Sequence, residues 1–244
     1  MNAREFHRIF IGFILLLSYW ISFPSISMAT ASTTSIFSYN FNNNDIDSSN
    51  WDIYYIGNSS TVDEEDEKLE IVIAANSSSK LTMAGITSLC QLRGDFDMQV
   101  DYELLRWPSS NGVRVGLTAP YEGSTNGSSS VITYNTERAS FGPKTDVPGL
   151  PREVYATNFN NEVTYTTQGT NDMSGKLRMV RADSTIAGYY YRSGEWIPID
   201  SSFAYPLDVD IRLIAWTTNS TFTNREVKLA FDNFVLNEGN LVNC

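Results

Sequence analysis

From Gly94 to Leu104 the chain reads Gly-Asp-Phe-Asp-Met-Gln-Val-Asp-Tyr-Glu-Leu, and apolar and polar residues alternate without a break. A period of two suits a β-strand buried on one face and excludes an amphipathic helix, whose apolar residues recur every three to four positions. Phe96, Met98, Val100, Tyr102 and Leu104 therefore point into a core, while Asp97, Gln99, Asp101 and Glu103 point to solvent. Similar short runs recur along the chain, fourteen in all from 36–41 to 226–236, among them 162–166 and 209–216. Spacers rich in Gly, Asn, Ser and Asp separate them and supply tight turns. The expected fold is all-β: two stacked antiparallel sheets, a β-sandwich or jelly roll, preceded by a signal-peptide helix.

Arg4 and Arg8 precede an uncharged run over 9–23, followed by Pro24 and Ala29-Thr30-Ala31. This is the layout of a secretory signal peptide cleaved after Ala31. The rival reading is an uncleaved anchor, but the run falls short of the about 20 residues a spanning helix needs. The expected organisation is thus a signal peptide over 1–31 and one domain over 32–244, exported to the periplasm or the exterior. Without Arg4, Arg8 and Glu5 the remaining residues carry a net charge of −12. So acidic a chain is a poor partner for nucleic acid or anionic membrane, both of which demand clustered Lys or Arg. No later segment is apolar enough to span a bilayer. The two cysteines, Cys90 and Cys244, are expected to pair in an oxidising compartment; the alternative is two free thiols.

The single histidine, His7, lies in the signal segment. Residues 32–244 therefore lack the imidazole that Ser-His-Asp and Cys-His catalysis and most zinc sites require. A hydrolase built on this chain would have to use carboxylates. The acidic run 63–67 reads as a solvated hairpin turn. The segment 136–154, with Pro143, Pro148 and Pro151, reads as a long surface loop, either a binding loop or an excursion between strands. Arg93-Gly94-Asp95 spells an adhesion tripeptide, but its place at the start of a strand favours a framework role. Sequons at Asn58, Asn76, Asn126 and Asn219 match the number that composition alone predicts, and so carry little weight.

Phe41 and Trp51, Gly94-Asp95-Phe96-Asp97, Gly175-Lys176-Leu177-Arg178, the run from Tyr189 through Gly194-Glu195-Trp196, and Phe231-Asp232-Asn233-Phe234-Val235-Leu236 together resemble the concanavalin A-like lectin/glucanase superfamily, laminin-G-like branch. The resemblance covers about 36–238 and implies a two-sheet antiparallel jelly roll. Members include carbohydrate-binding modules, adhesion domains and glycoside hydrolases, so the fold alone does not choose a function. The glucanase members carry Glu-x-Asp-x-x-Glu on one strand. This chain lacks that motif: Glu64-Glu65-Asp66-Glu67-Lys68-Leu69 ends on Leu69 where the last acid should stand. Asp97, Asp101 and Glu103 share a strand face and admit two readings, an acid-nucleophile pair or cross-strand ion pairs with Arg114, Arg178 or Arg212.

Sugar binding calls for exposed rings with carboxylates or amides beside them. The candidate ligand-binding residues are Trp107, Tyr121, Tyr190 and Trp196, with Asp101 and Glu103. The resemblance also implies a structural calcium ion between the terminal strands as a candidate cofactor, with Asn43, Asp45 and Asp232 offering oxygen ligands; no other cofactor is expected. The leading expectation is a secreted, non-catalytic jelly-roll module that binds carbohydrate or another extracellular surface. Its competitors are a carboxylate-dependent glycoside hydrolase or lyase and a structural or adhesive protein.

Overall fold

The structure is a computed structural model that describes residues 37–57, 60–75, 80–125, 128–142, 152–160, 166–218 and 220–244. The signal segment, the four sequon asparagines and the three prolines of 143–151 lie outside the described residues. So does most of the strand expected over 162–166.

Among the described residues the chain forms fifteen strands and no helix. They are β1 (Phe37–Tyr39), β2 (Trp51–Ile56), β3 (Ser60–Glu65), β4 (Lys68–Ile73) and β5 (Leu81–Ser88). Next come β6 (Gln91–Arg106), β7 (Arg114–Thr125), β8 (Ser128–Ser140), β9 (Glu153–Phe159) and β10 (Thr167–Gly169). The last are β11 (Ser174–Ala182), β12 (Thr185–Arg192), β13 (Glu195–Phe203), β14 (Arg212–Thr218) and β15 (Val227–Val242). Sheet A has the order β13-β12-β11-β6-β15-β4-β3, with β1 also paired to β15. Sheet B has the order β10-β9-β8-β7-β14-β5-β2. Among the described residues the strand pairings are antiparallel, and residues Thr33–Cys244 form one compact unit. This is the two-sheet sandwich expected from the alternating pattern.

The alternation in β6 is realised as read: Phe96, Met98, Val100, Tyr102 and Leu104 are buried, and Asp97, Gln99, Asp101 and Glu103 are half-exposed. Facing them from sheet B are Val115, Leu117, Tyr134 and Leu213, all fully buried in the same core. Each such aliphatic or aromatic side chain contributes about 1.5–3 kcal/mol on leaving water. Two-residue turns fix the register of the hairpins. Asp66-Glu67 joins β3 to β4 and Ser193-Gly194 joins β12 to β13, each pair with positive φ as a turn matched to strand twist requires.

Three expectations are corrected. The acidic run is only partly a turn, because Asp63 to Glu65 belong to β3; Glu64 is buried and accepts the Asn43 N–H at 2.9 Å. Thr136 to Ser140 are not loop but the buried end of β8, laddered between β7 and β9. Val209 makes an isolated bridge to Leu92, and β14 starts only at Arg212.

The two cysteines are joined, Cys90 to Cys244. Register explains why: Val242 pairs with Gln91, which brings the last residues of β15 beside the entry to β6. The Arg93-Gly94-Asp95 segment lies within β6 and is framework. Arg93 forms a two-pronged ion pair with Asp208, the Asp95 carboxylate accepts the Asp183 N–H, and the Gly94 carbonyl accepts from buried Arg181.

Candidate functional site

On β7, Val115, Leu117 and Ala119 enter the core, so Arg114, Gly116 and Thr118 take the opposite face of sheet B. Register carries this face across the sheet in rows. Glu137 of β8 stands opposite Gly116, then Ile214, Gly85 and Tyr54. On one side of that row run Asn135, Thr118, Arg212 and Thr87; on the other run Ala139, Arg114, Trp216 and Met83.

These rows form a groove of about 350 Å³ lined by Tyr54, Thr118, Thr133, Asn135, Arg212, Ile214 and Trp216, among others. A Cβ on Gly116 would stand 2.7 Å from Trp216 Cζ3, so the indole occupies the space that a side chain at 116 would fill. Arg212 sits over the Tyr54 ring, 4.2 Å from its centroid, and donates to Thr87 Oγ1 at 3.2 Å and Asp210 Oδ2 at 3.3 Å.

Under this face three polar atoms are buried without a hydrogen-bond partner: Thr118 Oγ1, Asn135 Oδ1 and Glu137 Oε2. A buried polar atom left unpaired costs about 1–3 kcal/mol, so three beneath one face are a standing cost. The other Glu137 oxygen accepts from Arg114 Nη1 at 2.9 Å. Burial pushes the Glu137 carboxyl up from its ordinary value, and Arg114 only partly opposes this. Among the described residues that line the groove there is no carboxylate, and Glu137 is wholly buried beside it. Glycoside hydrolysis needs two carboxyl groups facing each other at about 5–9.5 Å. The described residues do not supply that pair here.

The residues singled out from sequence fall elsewhere. Asp97, Asp101 and Glu103 lie on the outer face of sheet A, in ion pairs with Arg178 at 2.6 Å, Lys176 at 2.6 Å and Lys68 at 2.7 Å. Arg114 and Arg212, named as alternative partners, belong to sheet B. Trp196 shares the sheet A face, edge-on to Tyr191 with centroids 5.1 Å apart. Tyr190 is corrected: it is 4 % exposed and stacks on Tyr155 at 4.3 Å, because alternation turns Tyr189 and Tyr191 outward and Tyr190 in. Trp107 is half-buried, donating to Glu153 Oε2 at 2.9 Å with Arg138 over its ring, and Tyr121 packs against the core. Asn43 and Asp45 gather at the Tyr39 hydroxyl beside Glu64, whereas Asp232 stands opposite Asp101 in the β6–β15 ladder. Among the described residues no group of three His, Cys, Asp or Glu is arranged to hold a metal ion.

A second polar group, also missed from sequence, ties the sheets together. The Tyr102 and Tyr155 hydroxyls are 2.7 Å apart, and Tyr155 donates to Asp172 Oδ2 at 3.0 Å. Burial pushes the Tyr155 hydroxyl up to about 12. Burial would also raise Asp172, but hydrogen bonds from Thr170, Arg192 and Tyr155 outweigh it and hold the carboxyl below its ordinary value.

A family model described as "Protein of unknown function (DUF1583) C domain" matches residues 24–195. The chain belongs to this family. No curated protein matches it. Several solved structures resemble this DUF1583 C domain in fold. A beta-1,3-1,4-glucanase (lichenase) from a mouse hindgut metagenome superposes with a TM-score of 0.59 at 12 % identity, covering 82 % of this chain and 97 % of that one. A pseudo beta-1,3-glucanase of Mycobacterium tuberculosis gives 0.57 at 11 %, covering 84 % and 99 %. A Bacillus subtilis protein of unknown function with a galectin-like fold gives 0.53 at 7 %, covering 86 % and 97 %. At these identities the likeness establishes the fold alone, a two-sheet jelly roll.

Of the groove residues the sequence marked only Arg212, and as an ion-pair partner for the β6 carboxylates; Tyr54, Thr118, Asn135 and Trp216 were not singled out. Within 209–216 the alternation of Leu213 and Ala215 with Arg212, Ile214 and Trp216 marks an outer face, and it was the one available signal.

Proposed function

We propose that this protein is a secreted carbohydrate-binding jelly roll that holds a sugar chain in the sheet B groove and does not hydrolyse it. The observation that carries the reading is Trp216 resting on Gly116, with Tyr54, Thr133 and Asn135 lining the same groove. An indole supplies an apolar face for the C–H side of a pyranose ring, and hydroxyl and amide groups beside it answer the sugar hydroxyls. The absence of a facing carboxylate pair among the described groove residues favours retention over cleavage. Neighbours of the same fold include a protein described as a glucanase and another described as a pseudo-glucanase, so this architecture accommodates either outcome. The Cys90–Cys244 disulfide suits an oxidising compartment outside the cytosol.

Affinity electrophoresis in gels cast with individual soluble polysaccharides tests the proposal. At least one polysaccharide should retard the protein, Trp216→Ala should sharply reduce the retardation while the protein stays folded, and no reducing ends should accumulate. Unaltered mobility in every gel, or release of reducing sugar, would overturn it.

A further inference from the structure

The outer face of sheet A holds a second depression, of about 340 Å³, whose walls include Lys68, Asp101, Glu103, Lys176, Tyr191 and Asp232. One row of the sheet builds it. Trp196 pairs with Tyr191, Leu177 with Tyr190 so that Lys176 and Tyr191 come one step further on, and Asp101 stands between Lys176 and Asp232. The row thus runs from two aromatic rings through a lysine to two facing carboxylates.

Ion pairs hold these groups in place before any ligand arrives. Lys176 Nζ donates to both Asp101 oxygens at 2.6 and 2.8 Å, and Lys68 Nζ donates to Glu103 Oε2 at 2.7 Å. Asn233 bridges the carboxylates, its Nδ2 reaching Asp232 Oδ2 at 3.0 Å and Asp101 Oδ2 at 3.3 Å, while its N–H donates to Asp232 Oδ1 at 2.6 Å. Like charges directly opposite one another in a ladder are unfavourable. Burial, and after it the Asp101 charge, pushes the Asp232 carboxyl up, while the Asn233 N–H pulls it the other way. Donors from a ligand would relieve that opposition.

We infer that this depression is a second binding site, for a neutral polyhydroxylated ligand such as a sugar ring, seated against Tyr191 and hydrogen-bonded to Asp101 and Asp232. Hydroxyls both donate and accept, so they can meet carboxylates and ammonium groups alike. The charge balance excludes the obvious competitors. Three carboxylates repel an anion, and two ammonium groups in the same depression repel a divalent cation. The site faces away from the sheet B groove and does not depend on it.

The test is a titration of the full protein, followed by ring resonances of Tyr191 and Trp196, with cellotetraose, laminaritetraose, xylotetraose and chitotetraose in turn, and separately with calcium chloride. At least one tetraose should shift these resonances saturably, and should still do so in Trp216→Ala, which separates this site from the groove. Asp232→Asn should weaken that binding about tenfold, the effect of one lost hydrogen bond to a charged group, without lowering thermal stability. Three results would each overturn the inference: silence of both rings towards every tetraose at millimolar concentration, a response to calcium but not to sugar, or wild-type affinity in Asp232→Asn.

Discussion

Trp216 lies diagonally across the β7–β14 ladder from Gly116, so close that a methyl group on residue 116 would meet the indole at 2.7 Å. The ring is rigid and the backbone beneath it is laddered on both sides, so neither can give way cheaply. Gly116→Ala is expected to displace Trp216 and cost about 1–3 kcal/mol through overpacking. Urea denaturation measures the cost and affinity electrophoresis the accompanying loss of sugar retention; a variant as stable and as well retained as the parent would show that the ring is not seated there.

Glu137 is a fully buried carboxyl whose proton affinity is raised, chiefly by burial. Between its ordinary value of 4.5 and its higher folded value, the native state binds the proton more tightly than the unfolded chain does. Stability from this group is therefore present below the ordinary value and lost as pH rises through the folded one. Glu137→Gln should flatten that part of a stability-versus-pH profile. Arg114→Leu, which leaves the carboxylate buried without that cation, should cost about 3–5 kcal/mol at neutral pH and less in acid. Denaturant midpoints across the pH range decide both.

Tyr155 joins the sheets through its hydroxyl. Tyr155→Phe removes the bonds to Tyr102 and Asp172 and should destabilise by about 1–3 kcal/mol, readable as a lower thermal midpoint. In the parent, Tyr155 should ionise near 12. Because this is an acid with a raised value, its stabilising contribution is lost as pH climbs from the ordinary 10 through 12. Phenolate absorbance that appears fully near pH 10 would contradict this.

The Cys90–Cys244 link closes a loop of 154 residues in sequence separation. A cross-link of that span restricts the unfolded chain, so Cys90→Ala/Cys244→Ala should lose about 2–5 kcal/mol. Guanidinium unfolding of the double variant, beside the parent with and without reductant, measures it; equal midpoints throughout would mean that the unfolded chain gains no freedom from the loss.

Local pattern carried the reading a long way where chemistry alternates visibly. In β6 the pleat sends Phe96, Met98, Val100, Tyr102 and Leu104 inward, and no other conformation buries them together. In the run Tyr189-Tyr190-Tyr191 the same pleat operates, but three identical residues leave no contrast to read; the register of Tyr190 against Leu177 turned that ring into the core. Asp97, Asp101 and Glu103 advertised a need for cations without naming them. Arg178 and Lys176 met it because β11 pairs with β6, while Arg212 lies on a strand that pairs with β5 and β7.

From the residues alone came the class of fold and the absence of imidazole chemistry after His7, since these follow from periodicity and composition, whereas the choice between a Cys90–Cys244 bond and two free thiols waited for the register of β15 on β6. The groove was invisible at that level. It exists because Gly116, Trp216, Arg212 and Tyr54, up to 162 residues apart in sequence, are brought together by strand order, and strand order is set by the cooperative burial of two whole sheet faces rather than by any short stretch of chain.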